Sequence, residues 1–214
     1  MHQLDRATVP SPPCLATYHH GAQNWGHVTP DHKEEVRTHL EQLQGRRCAY
    51  CEASLDEFGQ HIEHFRRKSR FPALTFAWAN LFWSCDCGDR CGHFKDHGAG
   101  PYDPNDLIDP TVHDPEHFFR FFSDGSIRLR PGLSDTERHR ANETLRVFNL
   151  DSEHGPLRHM RQAHCTGYVR TGEEIAELAQ VSPPEEWLPF LDEELANTGH
   201  LPFATAIKHT LSPA

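Results

Sequence analysis

The chain reads as an α+β fold: a small strand–strand–helix core pinned by cysteines, followed by a mostly helical extension. Three observations predict it. Cys48-Ala-Tyr-Cys51 and a second cluster, Cys85, Cys87 and Cys91, bracket Ile62-Glu63-His64-Phe65 and Trp78-Ala79-Asn80-Leu81. Turn and breaker residues, Gly59-Gln60, Phe71-Pro72 and Gly98, cut that stretch into short pieces. Beyond Gly98 the pattern changes, and Ser134-Asp135-Thr136-Glu137 has the form of a capping box that opens a helix.

Taken in order, residues 1–30 carry Pro and His without periodicity and read as a loose arm. Thr29-Pro30-Asp31 opens a helix over about 31–44, with Val36, Leu40 and Leu43 on one face and Gly45 as its terminator. Residues 48–58 are expected to form a cysteine knuckle and a first strand, with a turn at Gly59-Gln60 and a second strand over 61–65. Residues 75–82, with Trp78, Leu81 and Phe82, read as a short helix, and 91–97 as the helix that closes the unit. Residues 98–110 form a loop rich in Gly, Pro, Asp and Asn. A hairpin follows over 117–130 with Asp124-Gly125 at its turn. Helices over about 135–148 and 153–170 come next, and Pro183-Pro184 opens a last helical pair. The organisation is therefore an arm (1–30), a core with its leading helix (31–98), a hairpin-and-helix segment (99–170) and an acidic helical segment (171–214).

Composition narrows the function classes. The 214 residues are 36% apolar, and the mean hydropathy is −0.69, which suits a modest core with metal support. No apolar run reaches the length of a membrane span, and no basic-then-apolar leader opens the sequence, so a cytoplasmic protein is expected. In that compartment seven cysteines argue for metal binding over a disulfide framework, with Cys14 and Cys165 as ordinary thiols. The net charge of −10 is uneven. Eight acids and no Lys or Arg lie between Thr171 and Ile207, whereas Arg66, Arg67, Lys68 and Arg70 follow directly on His64. One side of the molecule can meet a polyanion and the other cannot.

The chemistry concentrates between residues 48 and 97. Cys48-x-x-Cys51 holds two corners of a tetrahedral zinc site, and a second pair must supply the others. Cys85 and Cys91 are the favoured pair with Cys87 spare; a Cys3His set that recruits His93 is the alternative. Neighbours on a strand point to opposite faces, so Glu63 can bind a hard cation while His64, at the surface, acts as a base. Asn80 can hold the backbone of the His64 strand, and His93, placed by Cys91, can complete a divalent site opposite Glu63. Phosphodiester hydrolysis needs an activated water, neutralised phosphate charge and a stabilised leaving oxygen. His64 would supply the first, and one ion such as magnesium or manganese the others. Arg66, Arg67, Lys68, Arg70 and Lys95 would hold phosphates.

Together these residues resemble the HNH, or ββα-metal, nuclease superfamily. Cys48-Ala-Tyr-Cys51-Glu52, Ile62-Glu63-His64-Phe65-Arg66, Trp78-Ala79-Asn80-Leu81 and Cys91-Gly92-His93-Phe94-Lys95-Asp96 are similar to the PtuB type, the HNH effector of Septu and retron-associated anti-phage defence. Leu107-Ile108-Asp109-Pro110 and Arg140-Ala141-Asn142-Glu143-Thr144-Leu145 extend the likeness, which covers about residues 46–165. The resemblance implies His64 as general base, Glu63 and His93 as ligands of a catalytic Mg or Mn ion, Asn80 as the positioning residue and Cys48, Cys51, Cys85 and Cys91 as the structural Zn set. It also implies a PtuA-like SMC/ABC ATPase as partner and a nucleic-acid substrate, DNA before RNA. Two positions depart from the pattern. Cys85 and Cys91 stand further apart than a C-x-x-C pair, with Gly92 before His93, and Arg67 stands where relatives often carry Pro. The rival reading is a zinc-stabilised nucleic-acid-binding or scaffold subunit with degenerate catalysis.

Overall fold

The computed structural model describes residues 1–153 and 155–213. It is an α+β structure with two small antiparallel sheets and nine α-helices among those residues. Helix α1 (Pro30–Gln44) is opened by Thr29, whose hydroxyl accepts from His32 N, and closed by Gly45 at φ 64°. Val36, Leu40 and Gln44, four residues apart, are its buried positions.

The cysteine knuckle follows, but residues 48–58 do not form a strand. They turn into a one-turn helix, α2 (Leu55–Phe58), because Ser54 caps it by accepting from Glu57 N. The central hairpin pairs β1 (His61–His64) with β2 (Leu81–Ser84), in the register His61 with Ser84 through His64 with Leu81. The expected helix over 75–82 is instead two 3-10 turns, Pro72–Leu74 and Trp78–Asn80, leading into β2. All four residues of β2 are buried. Its second edge has no strand partner, yet it is not bare. The Gln44 carboxamide accepts from Trp83 N and donates to Trp83 O, and Ala49 N also donates to Trp83 O. This satisfies backbone groups that would otherwise be costly to bury. Helix α3 (Cys91–His97) closes the strand–strand–helix unit as expected.

The second half begins with α4 (Pro115–Phe118) and the hairpin β3 (Phe119–Phe121) with β4 (Ile127–Leu129). Asp124-Gly125 makes the turn; Gly125 lies at φ 81°, and a Cβ there would also strike Arg158 O. Helix α5 (Asp135–Val147) carries the expected capping box, Ser134 with Glu137. Helices α6 (Pro156–Thr166), α7 (Val169–Val181), α8 (Pro184–Thr198) and α9 (Ala204–Leu211) follow. Arg161 of α6 is buried but fully engaged, donating to Gly125 O and Leu150 O and pairing with Asp151.

One apolar core runs from Met1 to Leu211. The N-terminal residues are part of it, contrary to the expectation of a loose arm. Met1, Leu4, Val9, Cys14 and Leu15 are buried, and the Arg6 guanidinium lies over Trp78 and Phe82 at 4.7 and 4.6 Å while donating to Leu81 O. These contacts come from scattered residues in 3-10 turns, which leave no periodic trace in sequence. The far end of the chain also returns to the knuckle. Glu52, at φ 63°, accepts from Thr205 N and Thr205 Oγ1, pairs with the Met1 amine, and takes Phe203 N on its own carbonyl.

Helix α9 is tied to α4 through Glu116, which meets Lys208 Nζ at 2.9 Å and His209 Nε2 at 3.0 Å. The hydrogen bond from His209, with Lys208 behind it, lowers the Glu116 carboxyl to about 2. A depressed folded-state pKa contributes stability above the ordinary carboxylate range, lost as pH falls through the folded value. Glu116→Gln should therefore lower Tm at pH 7 by a few degrees, for a loss of about 1 kcal/mol at a partly solvated pair. Near pH 2 the difference from wild type should vanish, as thermal melts across that range would show.

Candidate active site and metal centres

The knuckle and the hairpin bring four thiols together. The sulfurs of Cys48, Cys51, Cys85 and Cys91 lie within 4.8 Å of one another, and all four residues are buried. Cys87, only half-buried, is outside the set, and so is His93. Cys48 comes from the turn closed by Glu52 N to Cys48 O, Cys85 directly follows β2, and Cys91 opens α3. Cys91 adopts φ 55°, a left-handed conformation that a non-glycine residue takes only when its surroundings compel it. Burial disfavours a thiolate here, yet hydrogen bonds from the other three thiols hold the Cys48 thiol well below its ordinary range. A dry cluster of four sulfurs with no other role can hold a structural metal such as zinc.

His64 ends β1 and is buried, not at the surface as expected. Trp25, from the N-terminal segment, stands edge-on to its ring at 4.7 Å between centroids. His64 Nε2 donates to Thr75 O at 3.0 Å, which leaves the basic lone pair on Nδ1. Burial, with the nearby positive charge of Lys68, lowers the imidazole to about 4, so it is neutral at pH 7. Asn80 is buried at the end of the 3-10 turn that leads into β2. Its Oδ1 accepts from Arg66 N, its Nδ2 donates to Arg66 O and Leu74 O, and its carbonyl accepts from Phe65 N. The backbone just past His64 is thereby fixed on both sides.

Glu63 and His93 are not brought together as a simple ligand pair. Lys95 Nζ, fully buried, meets Glu63 Oε1 at 2.7 Å and Asp96 Oδ1 at 2.6 Å and donates to His64 O. Lys95 therefore faces inward and anchors both catalytic candidates, whereas sequence suggested a phosphate contact. Arg67 continues the charge alternation by pairing with Asp96 at 2.9 Å. His93 instead keeps company with His61 and Asp86: their ligand atoms lie within 4.8 Å of one another. His93 Nε2 is 2.6 Å from Asp86 Oδ1, and the His61 and His93 ring centroids are 4.1 Å apart, tilted by 31°. Sequence reasoning missed His61 and Asp86. His61 was findable, since it shares a strand face with Glu63 two residues on; Asp86, in the loop after Cys85, gave no such signal.

Gly92 explains itself in this setting. A Cβ there would sit 2.5 Å from Glu63 Oε2 and 2.9 Å from His61 Nε2. Among the four basic residues after His64, Arg66 donates to Asn105 and lies over Phe71, and Arg70 donates to Tyr102 O. Lys68 is exposed and, with Trp25, Asn24 and Thr75, lines a hollow of about 320 Å³ beside His64.

No family model matches the chain. It is 31% identical over 105 residues to the Septu protein PtuB of Bacillus thuringiensis, an alignment covering 48% of this chain and 37% of PtuB. Over 144 residues it is 29% identical to the "Retron Vc95 putative HNH endonuclease" of Vibrio cholerae serotype O1 biovar El Tor, covering 64% of this chain and 67% of that protein. The chain is similar to both proteins over these stretches. It spans little more than a third of PtuB itself. The ββα arrangement of β1, β2 and α3 agrees with that relationship.

Two outcomes check this site. Purified protein should contain about one zinc per chain by elemental analysis, lost with the fold in a Cys48→Ala/Cys85→Ala variant. Gly92→Ala should cost about 1–3 kcal/mol in denaturant unfolding, because the methyl group displaces the buried Glu63 carboxylate.

Proposed function

We propose that the chain is a metal-dependent HNH endonuclease, the effector of an anti-phage defence complex. The observation that carries this reading is His64: a neutral imidazole whose tautomer is set by Thr75 O, on a strand fixed by Asn80. Such a group can take a proton from the water that attacks a phosphodiester. The exposed Lys68 and the partly exposed Arg66 offer positive charge to the phosphate backbone, with Arg67, paired with Asp96, a weaker contributor. A divalent ion near His93, when bound, would neutralise phosphate charge and stabilise the leaving oxygen. The residues fit an ion of this kind, because a buried acceptor, His61 Nδ1, stands there without a hydrogen-bond donor. Lys95 and Asn80 are positioning residues in this scheme. DNA is the favoured substrate.

The resemblance to PtuB supports a PtuA-like SMC/ABC ATPase as partner. In the acidic segment Trp187 and Leu191 pack on this chain's own core, whereas Leu178, Val181, Leu188 and Phe190 are exposed among acids. In this reading residues 31–98 carry catalysis, and the exposed face of 171–214 is where the partner docks. The described residues contain no helix long and apolar enough to cross a membrane.

One observation favours the rival reading of a binding or scaffold subunit: Trp25 covers His64. Cleavage assays decide between them. His64→Ala should lower metal-dependent cleavage, by the chain or its complex, by about 10²–10⁴-fold with zinc content unchanged. Wild-type rates in that variant would leave the scaffold reading standing.

A further inference from the structure

The His61, Asp86 and His93 cluster has features that a hydrogen-bonded surface group lacks. His61 Nε2 donates to Glu63 Oε2 at 3.3 Å. That fixes the tautomer and puts the lone pair on Nδ1, which faces Asp86 Oδ1 at 3.7 Å. Nδ1 is buried and has no hydrogen-bond partner. An acceptor thus faces an acceptor, an arrangement that a cation between them resolves. Among the described residues, the ion-pair partners of Asp86 are only these two imidazoles. Its backbone is anchored too, since Asp86 N donates to Phe58 O and Gly59 O.

The charges around Glu63 point the same way. Glu63, Lys95, Asp96 and Arg67 form a balanced alternating chain. A carboxylate with an ammonium 2.7 Å away attracts an incoming dication less strongly than Asp86 does, and its other oxygen is engaged by His61. A metal-bound histidine usually donates its other ring N–H to a carboxylate, and Glu63 stands in that place.

We infer that His61, Asp86 and His93 form a two-histidine, one-carboxylate divalent-cation site, in which Glu63 orients His61 and is not itself a ligand. Two imidazoles with one carboxylate suit a borderline first-row ion such as Mn²⁺, Co²⁺ or Ni²⁺ better than Mg²⁺, which prefers oxygen ligands. The inference takes the ion's catalytic task from the nuclease reading, but the site itself stands on geometry alone.

The test is Mn²⁺ binding to the full chain with its cysteine site loaded with zinc, read by loss of the free-ion EPR signal. Electron spin echo modulation on the bound ion then detects imidazole nitrogens. Wild type should bind about one Mn²⁺ with two imidazoles in the echo pattern, and equimolar Mg²⁺ should not displace it. Asp86→Asn, at an exposed side chain that leaves the core untouched, and His61→Ala should each weaken binding by at least about tenfold. His61→Ala should also lose one imidazole, whereas Glu63→Gln should keep both. Wild-type affinity in Asp86→Asn, or a single imidazole in the wild-type pattern, overturns the site. Binding as described without cleavage would instead count against the nuclease reading and leave the site intact.

Discussion

The four-sulfur cluster is the constraint from which the rest of the site is measured. It joins three elements that share few other contacts: the knuckle turn, the end of β2 and the start of α3. Asp86 is the residue after one of these cysteines and His93 lies two beyond another, so their separation is set by sulfur positions and not by helix or sheet geometry. β1 is then placed by its pairing with β2, which brings His61 and Glu63 against Gly92 on one face and turns His64 to the other. Loss of the cluster would leave a pair of four-residue strands and a seven-residue helix, neither of which is stable by itself.

Beneath the site lies a line of alternating charge that runs from the buried pair Glu63 and Lys95 to the partly exposed Asp96 and Arg67. Burying one of these groups alone would cost several kcal/mol; alternation makes the set tolerable, and the price is rigidity. Lys95 also holds the His64 carbonyl, so base and carboxylate move together. The other face of His64 is closed by Trp25, which makes the N-terminal segment part of the site's wall and not an appendage.

Much of this was legible in the sequence, for identifiable reasons. Cysteine spacing marked the cluster, Thr29 and Gly45 bounded α1, Asp124-Gly125 marked its hairpin, and Ser134 with Glu137 opened α5. Each is a local signal that acts over a few residues. The first two residues of β2, Leu81 and Phe82, were misread as the end of a helix because Leu81-Phe82-Trp83-Ser84 is buried throughout and has no alternation to betray a strand. Lys95 was read as a surface cation because its partner Glu63 is 32 positions away in sequence. His64 was read as exposed because Trp25 reaches it from 39 positions upstream. In each case a contact distant in sequence overrode a sound local expectation.

Glu52 gives the fold a temporal character. Its carboxylate sits at the mouth of the knuckle, buried, and the hydroxyl and amide that satisfy it belong to Thr205, 153 residues later. The entropy of closing so long a loop grows only slowly with length, so the closure is affordable, but it cannot precede the arrival of residue 205. During synthesis the hairpin and its sulfur cluster can assemble early from neighbouring residues, and the Met1 amine can already pair with the Glu52 carboxylate, while the contacts from Thr205 wait until α9 docks. Contacts of this range slow folding, and they delay the finished knuckle until α9 has been made.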